Sequence, residues 1–265
     1  MAASRWSRAS RPGLNISRCR TMSELLYLPQ VDSTNLCCKR RLGEMGHLDA
    51  VWSASQTAGR GRREHVWENA PGQALYYSIL FQGGLAQPEC LPLASSLAAA
   101  WALENCFGPG LEIAIKWPND LLLGGKKAVG ILCEGFSGAW VSGIGVNLCQ
   151  SAADFAAAGL PHATSVALRL GRDPGPDAAA RLAKELTRIF RQDGRLAEFY
   201  RRGFAALADE YRARCVNLGR RVTFAGGAGV ARAVDDDGRL VVEADGGERH
   251  LLSGEVSVQG IYGCL

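Results

Sequence analysis

A glycine- and arginine-rich loop is the first stretch of the sequence whose residue types suggest chemistry. The loop reads Gln-Thr-Ala-Gly-Arg-Gly-Arg-Arg over residues 56–63. Glycines let a backbone approach a ligand closely, and guanidinium groups pair with phosphate or carboxylate oxygens. From these residues alone, three interpretations stay open: an anion-binding loop, a solvated surface turn, and an arginine-glycine contact with nucleic acid.

A lysine at the end of an apolar strand is the second feature of this kind. The predicted strand 112–116 stops at Trp117-Pro118, because proline cannot donate a hydrogen bond to a sheet. Lysine is rarely buried without a partner. Lys116 therefore fits a fixed cation beside an anionic centre that undergoes phosphoryl or nucleotidyl transfer. The alternative is a lysine whose stem follows the sheet edge into water, with Trp117 packed in the core.

Two further motifs are weak signals on their own. Asp-Ser-Thr-Asn at 32–35 is typical of a helix N-cap, and Gly-Ile-Gly-Val-Asn at 143–147 is typical of a closely packed strand. No histidine or cysteine pair has the spacing of a metal site, and the sequence has neither a nucleophile elbow nor a P-loop lysine. Zinc bound by the protein and hydrolase catalysis therefore have no support.

The elements that position these motifs follow from hydrophobic periodicity. Strands are predicted over 23–28, 50–54, 74–81, 112–116, 121–123, 128–134 and 139–148, and helices over 36–42, 91–106, 178–191 and 196–211. Hairpin-like strands interspersed with helices predict an α+β fold with a mixed or mostly antiparallel central sheet. Short β-type runs at 221–224, 229–234, 240–244 and 255–259 predict a small closed or nearly closed β-barrel. The predicted organisation is an Arg-rich tail over 1–22, a main domain over 23–214 and the barrel over 215–265.

The charge of the chain is concentrated in its first residues. The formal charge is +4, but residues 1–22 contain five arginines and no acidic residue, which leaves 25 basic and 26 acidic side chains in the remainder. A nucleic-acid footprint should lie on the folded domain, so nucleic acid is not the first expectation for a partner. The tail is interpreted either as a transit peptide or as sequence upstream of a true start at Met22.

The cysteines and the apolar stretches indicate the cellular compartment of the protein. Nine cysteines are scattered through the chain without a CxxC pair, which favours free thiols in a reducing cytoplasm. The longest apolar stretch, over 91–103, is shorter than the roughly 20 residues that a membrane-spanning helix needs. We therefore expect a cytoplasmic protein without a membrane span.

The order of these motifs resembles the biotin protein ligase family. The matching motifs are residues 32–35, the loop 56–63 with Trp67 behind it, Lys-Trp-Pro-Asn-Asp-Leu at 116–121, Lys-Ala-Val-Gly-Ile-Leu at 127–132, and the glycine strand 143–147. The resemblance covers about residues 25 to 260, including Gly-Glu-Val-Ser at 254–257. It implies a fold similar to the class II aminoacyl-tRNA synthetases for the catalytic domain and a C-terminal barrel similar to the Src-homology-3 domain.

The resemblance implies a two-step reaction. Biotin and ATP, accompanied by Mg2+, give biotinyl-5'-AMP and diphosphate, and biotin then passes to a lysine of a biotin carboxyl carrier protein. Lys116 and Arg62 are implied as the catalytic residues. The implied biotin-binding residues are Ser33, Thr34, Asn35, Gln56, Gly59, Arg60, Gly61, Arg62, Lys116 and Gly130, with Lys127 and Ile131 on the opposite strand. The implied ATP- or adenylate-binding residues are Arg62, Arg63, His65, Trp67, Lys116 and Asn147; no metal ligand from the protein is implied.

Two positions depart from the family pattern. The loop has Glu64 and His65 where the family has a further glycine, and a carboxylate there should weaken the hold on an anion. The family also has a tryptophan on the adenine side beyond the glycine strand, whereas Phe155 is the only Phe, Tyr or Trp in residues 148–165. The adenine contact is therefore left without a candidate.

The sequence also predicts which domains are present and leaves two alternative functions open. Only 31 residues precede Asp32, too few for the DNA-binding domain of some family members, so the sequence predicts the type that acts as a ligase alone, without DNA as a partner. The oligomeric state is left open between a monomer and a dimer paired through the central sheet. The rival functions are a lipoate or octanoate ligase of related fold and a catalytically silent biotin-binding or nucleic-acid-binding regulator.

Overall fold

A seven-stranded mixed sheet forms the centre of the protein. The computed structural model describes residues 24–61 and 71–262. The strands are β1 (Leu25–Tyr27), β2 (Ala50–Ser53), β3 (Ala74–Gln82), β4 (Ile113–Lys116), β5 (Asp120–Leu123), β6 (Lys126–Phe136) and β7 (Ala139–Asn147). They lie in the order β1-β2-β3-β7-β6-β5-β4. Only the β1–β2 pair is parallel among these neighbours. The predicted α+β fold with a mixed central sheet is confirmed.

Helices cover both faces of this sheet. The helices are α1 (Thr34–Arg40), α2 (Leu91–Phe107), α3 (Ala152–Ala157), α4 (Val166–Leu170), α5 (Ala178–Gln192), α6 (Gly194–Arg202) and α7 (Ala208–Arg214). Strand β3 is buried on both sides because its side chains alternate between two cores. Tyr77, Ile79 and Phe81 pack in the larger core with α2 and α5, whereas Leu80 packs with Cys38 of α1. Helix α1 is thereby held against the face opposite to α2.

A second, antiparallel sheet follows in the C-terminal part of the chain. Its strands are β8 (Arg221–Phe224), β9 (Gly227–Val234), β10 (Leu240–Ala244), β11 (Gly247–Leu251) and β12 (Ser257–Val258), in the order β11-β10-β9-β8-β12. A small C-terminal β-domain is therefore present as predicted. The predicted tail over 1–22 lies outside the described residues. The boundaries at 22 and 214 stay predictions.

The C-terminal β-domain is joined to the central sheet at Trp117. The Trp117 side chain is only 1% exposed, as the sequence predicted for a core residue. Its backbone N–H donates to Asn217 Oδ1 at 2.8 Å, and its indole Nε1 donates to the carbonyl oxygen of Gly238 at 3.0 Å. Both donors are buried, and a buried N–H without an acceptor would destabilise the fold. These hydrogen bonds avoid that cost. They fix the hairpin β4–β5 against the C-terminal β-domain.

The predicted helix over 196–211 is wrong. The structure breaks it into α6, a short 3-10 turn at Phe204–Ala206 and α7. Gly203 has φ +90° and lies close to the Gln87 side chain. A Cβ added at Gly203 would lie 2.3 Å from Gln87 Oε1. The same oxygen accepts a hydrogen bond from the Phe204 N–H at 2.6 Å. A contact with a residue far away in the sequence ends the helix, although the hydrophobic pattern continues.

Other elements differ from the predictions. Strand β11 and the short helices α3 and α4 were not predicted, because each is shorter than the windows in which periodicity is informative. Helix α1 begins at Thr34 with Ser33 at its N-cap, two residues before the predicted start, and the Ser33 side chain makes no capping hydrogen bond. Asp32 instead pairs with Arg40, whose hydrogen bond lowers the pKa of Asp32 to about 2. In the parts of the chain that are described, no helix is long and apolar enough to cross a membrane.

Replacing Asn217 tests the joint at Trp117. We expect Asn217→Ala to lower the free energy of unfolding by about 1–3 kcal/mol, because the buried Trp117 N–H loses its acceptor. Asn105 is the matched control, since its amide bonds Glu185 on the exposed surface; Asn105→Ala should change stability by less than about 0.5 kcal/mol. Urea denaturation followed by tryptophan fluorescence measures both. Equal stabilities for the two variants would contradict the assignment.

Candidate active site

A cavity of about 200 Å³ opens between the start of α1, the hairpin β4–β5, the strands β6 and β7, and a segment of the C-terminal β-domain. Its lining includes Ser33, Thr34, Asn35, Gln56, Arg60, Gly61, Lys116, Lys127, Gly130 and Ile131, all of which the sequence analysis singled out. The fold thus brings together most of the described residues among the predicted set. Their individual roles stay predictions.

A network of polar side chains forms the end of the cavity at α1. Gln56 Oε1 accepts hydrogen bonds from the backbone N–H of Thr34 at 2.7 Å and from its hydroxyl at 3.1 Å. The Ser78 hydroxyl lies 2.7 Å from both Thr34 Oγ1 and Asn35 Oδ1. Ser78 is fully buried. Neutral donors and acceptors held this rigidly suit a neutral polar ligand group.

Asn35 is fixed in one orientation by its neighbours. Its Nδ2 donates to Glu134 Oε2 at 2.8 Å and to the carbonyl oxygen of Leu132 at 3.2 Å. Its Oδ1 accepts a hydrogen bond from the Ser78 hydroxyl. Gly143 makes room for this amide, because a Cβ at that position would lie 2.3 Å from Asn35 Oδ1. The glycine strand is therefore needed for the approach of α1 as well as for strand packing.

Glu134 contacts both polar and cationic side chains on this side of the cavity. Its carboxylate contacts Lys39 Nζ at 2.7 Å, Asn35 Nδ2 at 2.8 Å and Arg60 Nη1 at 3.5 Å. Burial opposes ionisation of Glu134, but the hydrogen bonds from Lys39 and Asn35 and the charges of Lys39 and Arg60 outweigh it and hold its pKa below the ordinary value. Glu134 therefore stays ionised and links α1 to the Gly/Arg loop.

Lys116 lies at the opposite side of the cavity, at the end of β4. It is only 9% exposed, so its side chain does not extend from the sheet edge into water. The hairpin pairs Lys116 with Asp120, and Asp120 Oδ1 lies 2.7 Å from Lys127 Nζ. The Lys116 ammonium lies 4.8 Å from the centre of the Tyr262 ring. The cavity thus has cations on two sides, which suits a small anionic ligand.

Several residues near the cavity were missed by the sequence analysis. Tyr76 of β3 and the segment 254–256 line the cavity, while Glu134 and Tyr262 contact residues that line it. The motif Gly-Glu-Val-Ser at 254–257 was noted as part of the family resemblance, and that signal could have placed the segment. Glu134 and Tyr262 had no local signal, because their partners come from distant parts of the chain.

Some of the predicted site residues are not at the cavity. Gly59, within the Gly/Arg loop, is buried but does not line the cavity. Asn147 is buried and also does not line it; its Nδ2 donates to the carbonyl oxygen of Thr164 at 3.1 Å. Phe155 is buried in α3. Arg62, Arg63, Glu64, His65 and Trp67 lie outside the described residues.

Comparison with known proteins identifies the family. Residues 27–149 match the model of the Biotin/lipoate A/B protein ligase family, and residues 218–259 match the Biotin protein ligase C terminal domain. The chain is 33% identical over 246 residues to the biotin–[acetyl-CoA-carboxylase] ligase of Paracoccus denitrificans, with 88% of this chain and 100% of that protein covered. The chain belongs to the biotin protein ligase family.

Other members of the family agree in sequence and in fold. The bifunctional ligase/repressor BirA of Escherichia coli is 31% identical over 244 residues, which cover 88% of this chain and 73% of that protein. A solved structure of biotin protein ligase from Aquifex aeolicus in complex with biotin and ATP superposes with a TM-score of 0.71 at 26% identity, covering 89% of this chain and 98% of that one. The family fold thus extends over both sheets.

Replacing Glu134 tests its electrostatic role. The folded pKa lies below the unfolded value of about 4.3, so the stabilisation is fully present at neutral pH and is lost as pH falls through the folded pKa. We expect Glu134→Gln to lower the free energy of unfolding by about 1–2 kcal/mol at pH 7, with the difference from wild type shrinking below about pH 4. Urea denaturation at a series of pH values measures it.

Glu198 supplies the control for this experiment. It pairs with Arg201 and Arg202 on an exposed helix face. Exposed ion pairs contribute little, so Glu198→Gln should change stability by less than about 0.5 kcal/mol at any pH. A loss in Glu134→Gln that does not depend on pH would contradict the role of the ionised carboxylate.

Proposed function

We propose that the protein activates biotin with ATP and transfers it to a lysine of a biotin carboxyl carrier protein. The observation that carries the proposal is a cavity in which the fixed neutral amides and hydroxyls at α1 face Lys116. Biotin has a neutral ureido ring at one end and a carboxylate at the other, so one ligand matches both ends of the cavity. The match of residues 218–259 to the biotin protein ligase C-terminal domain supports biotin over lipoate as the substrate.

The α1 end of the cavity would bind the biotin ring. Ser33, Thr34 and Asn35, together with Gln56, supply matched donors and acceptors, and Glu134 and Gly143 keep the Asn35 amide in place. Gly130 and Ile131 line the adjacent strand. A flat neutral ring is bound best by such groups, since charge there would have to be desolvated without a partner.

Lys116 would act on the first step. A carboxylate oxygen of biotin attacks the α-phosphorus of ATP, a new P–O bond forms, and diphosphate leaves with the electrons of the broken P–O bond. Two anions must meet for this to happen, so a cation held in a largely dehydrated position lowers the barrier. Lys116 lines the cavity and is only 9% exposed, which supports this role, and Arg60 lines the cavity on the other side. We propose that Arg62 and Arg63 of the Gly/Arg loop, with His65 and Trp67 that follow it in the sequence, bind the adenylate, and that Asn147 acts on the nucleotide side.

The second step would use the activated acyl group. The neutral amine of the acceptor lysine attacks the carbonyl carbon of biotinyl-5'-AMP, the C–N bond forms, AMP leaves, and the amine proton passes to solvent. Because the mixed anhydride is already reactive, the protein's main task is to hold the two groups together. We propose that the domains over 23–214 and 215–265 do this jointly, since both line the cavity.

Mg2+ would enter with the nucleotide. Within residues 24–61 and 71–262, no group of three or more histidine, cysteine or acidic side chains is arranged to hold a metal. We therefore propose that the ion is bound mainly by phosphate oxygens of the nucleotide, as Mg2+ often is. Bound in that way, the ion would neutralise charge on the diphosphate leaving group.

We propose the cytoplasm as the location. Seven cysteines among the described residues are free thiols, and Cys37, Cys38, Cys90 and Cys215 are buried. Burial raises the pKa of the Cys38 and Cys90 thiols, which keeps them protonated and unreactive. Structural thiols of this kind are typical of a reducing compartment.

Replacing Lys116 tests the function and its main cation. We expect Lys116→Met to lower the rate of biotin-dependent exchange between ATP and labelled diphosphate by about a hundredfold or more. Lys184→Met is the control, since Lys184 is exposed on α5, and it should leave the rate unchanged. The same assay with lipoate in place of biotin should give no exchange. Exchange with lipoate alone, or full activity in Lys116→Met, would refute the proposal.

Replacing Gly143 tests the assignment of the biotin end. An alanine Cβ would lie 2.3 Å from Asn35 Oδ1, so Gly143→Ala must displace the amide. We expect the dissociation constant for biotin to rise about tenfold or more, measured by isothermal titration calorimetry. Gly84→Ala is the control, because a Cβ at Gly84 has no neighbour within 4 Å. An unchanged affinity in Gly143→Ala would show that Asn35 does not bind biotin.

A further inference from the structure

We propose that Tyr262 is a positioning residue for Lys116, so that the C-terminal β-domain helps to fix the ammonium group on which the first reaction step depends. The inference rests on the proposed function, because it assigns to Tyr262 a task in adenylation. Tyr262 lies beyond β12, in a segment that none of the family motifs reaches. Nothing in its local sequence marks it as part of the site.

Two contacts of Tyr262 point towards the cavity wall, while its ring also lies 6.2 Å from the ring of His162. Its ring faces the Lys116 ammonium at 4.8 Å, and its hydroxyl lies 3.4 Å from Asp120 Oδ2, to which it donates. The other oxygen of that carboxylate lies 2.7 Å from Lys127 Nζ. Lys116, Asp120 and Lys127 line the cavity. One phenol and one carboxylate therefore constrain two cationic side chains of the site.

The geometry suits restraint of a lysine. A lysine side chain has a flexible four-carbon stem, so its ammonium group must be held if it is to lie at one place when the substrate arrives. The face of an aromatic ring attracts a cation within about 6 Å without neutralising it. A carboxylate at the same position would cancel the charge that the reaction needs. Tyrosine thus holds Lys116 without itself neutralising the charge of the ammonium group.

The backbone at Tyr262 indicates that the ring position is specified. Tyr262 has φ +58°, in the left-handed region that a bulky residue rarely adopts. Two residues earlier, Gly260 turns the chain with φ +78°, and Ile261, which is only 7% exposed, anchors the segment in the core. Burial and the neighbouring Asp120 raise the pKa of the Tyr262 hydroxyl, so it remains a proton donor to Asp120.

Two substitutions separate the ring from the hydroxyl. Tyr262→Leu removes the ring, and we expect the rate of biotin adenylation to fall about tenfold while the dissociation constant for biotin stays the same. Tyr262→Phe keeps the ring and should retain activity within about threefold of wild type. In the Lys116→Met background, Tyr262→Leu should cause no further loss, since there is no ammonium group left to position. Tyr27→Leu, at an exposed tyrosine of β1, is the control and should behave as wild type.

A direct measurement of the contact completes the test. After reductive methylation with 13C-formaldehyde, the dimethylammonium signal of Lys116, assigned by its loss in Lys116→Met, should be shifted upfield by the Tyr262 ring. The shift should persist in Tyr262→Phe and vanish in Tyr262→Leu. A signal that Tyr262→Leu leaves unchanged would overturn the contact. A full adenylation rate in Tyr262→Leu, or an equal additional loss in the Lys116→Met background, would overturn the positioning role.

The result also separates this inference from the proposed function. If wild-type protein shows no biotin-dependent exchange, the proposed function fails, and the NMR shift still decides whether Tyr262 holds Lys116. If exchange is present and is lost in Lys116→Met but intact in Tyr262→Leu, the function stands and only the role of Tyr262 is refuted. Thermal unfolding of each variant, with a midpoint equal to wild type, shows that lost activity does not come from unfolding.

Discussion

A patch of bare backbone in β6 and β7 is the constraint on which the site depends. Gly130 and Gly145 are direct partners in the β6–β7 pairing, and Gly143 lies two residues before Gly145 on the same strand. The amide of Asn35 occupies the space that a side chain at Gly143 would fill. Glycines weaken a strand, but β7 is also paired along its whole length with β3, and this long antiparallel ladder offsets the loss. Without the bare patch, α1 could not bring its polar residues onto the sheet, and the cavity would have no binding end.

The cations of the site are local and individually restrained, although the body of the protein is almost neutral. Glu134 holds Lys39 and Arg60 at one side, and Asp120 holds Lys127 at the other. These carboxylates are themselves bound by neutral donors, so their charges are shared among several groups and do not cancel a single cation. A small anion entering the cavity meets positive charge in a place where water screens it poorly. A few cations at defined positions thus attract an anionic ligand here, whereas proteins that bind nucleic acid use a large basic surface.

The sequence predicted those parts of the structure whose causes are local. Strands β2 to β7 follow from short apolar, β-type runs bounded by turn residues, and Lys116 stood out because a lysine beside Trp117-Pro118 has no ready packing role. Features that depend on distant partners could not be predicted. The helix over 196–211 is interrupted at Gly203 by the side chain of Gln87, which lies on another element. Glu134 reads as an ordinary polar residue of a strand until the fold brings Lys39 and Arg60 to it. The same holds for Tyr262, whose role appears only once the C-terminal β-domain is placed beside β4.

The wall of the cavity is shared between the two ends of the chain, with Ser33 at one side and Val256 at another. During synthesis, a ribosome adds roughly 5–20 residues per second, so the first wall residues emerge on the order of ten seconds or more before the last. Until residues 254–256 emerge, the nascent chain lacks the part of the cavity wall that they form. The complete cavity cannot form until residues 254–256 have emerged from the ribosome and docked, and a chain that ends before them lacks that part of the cavity wall.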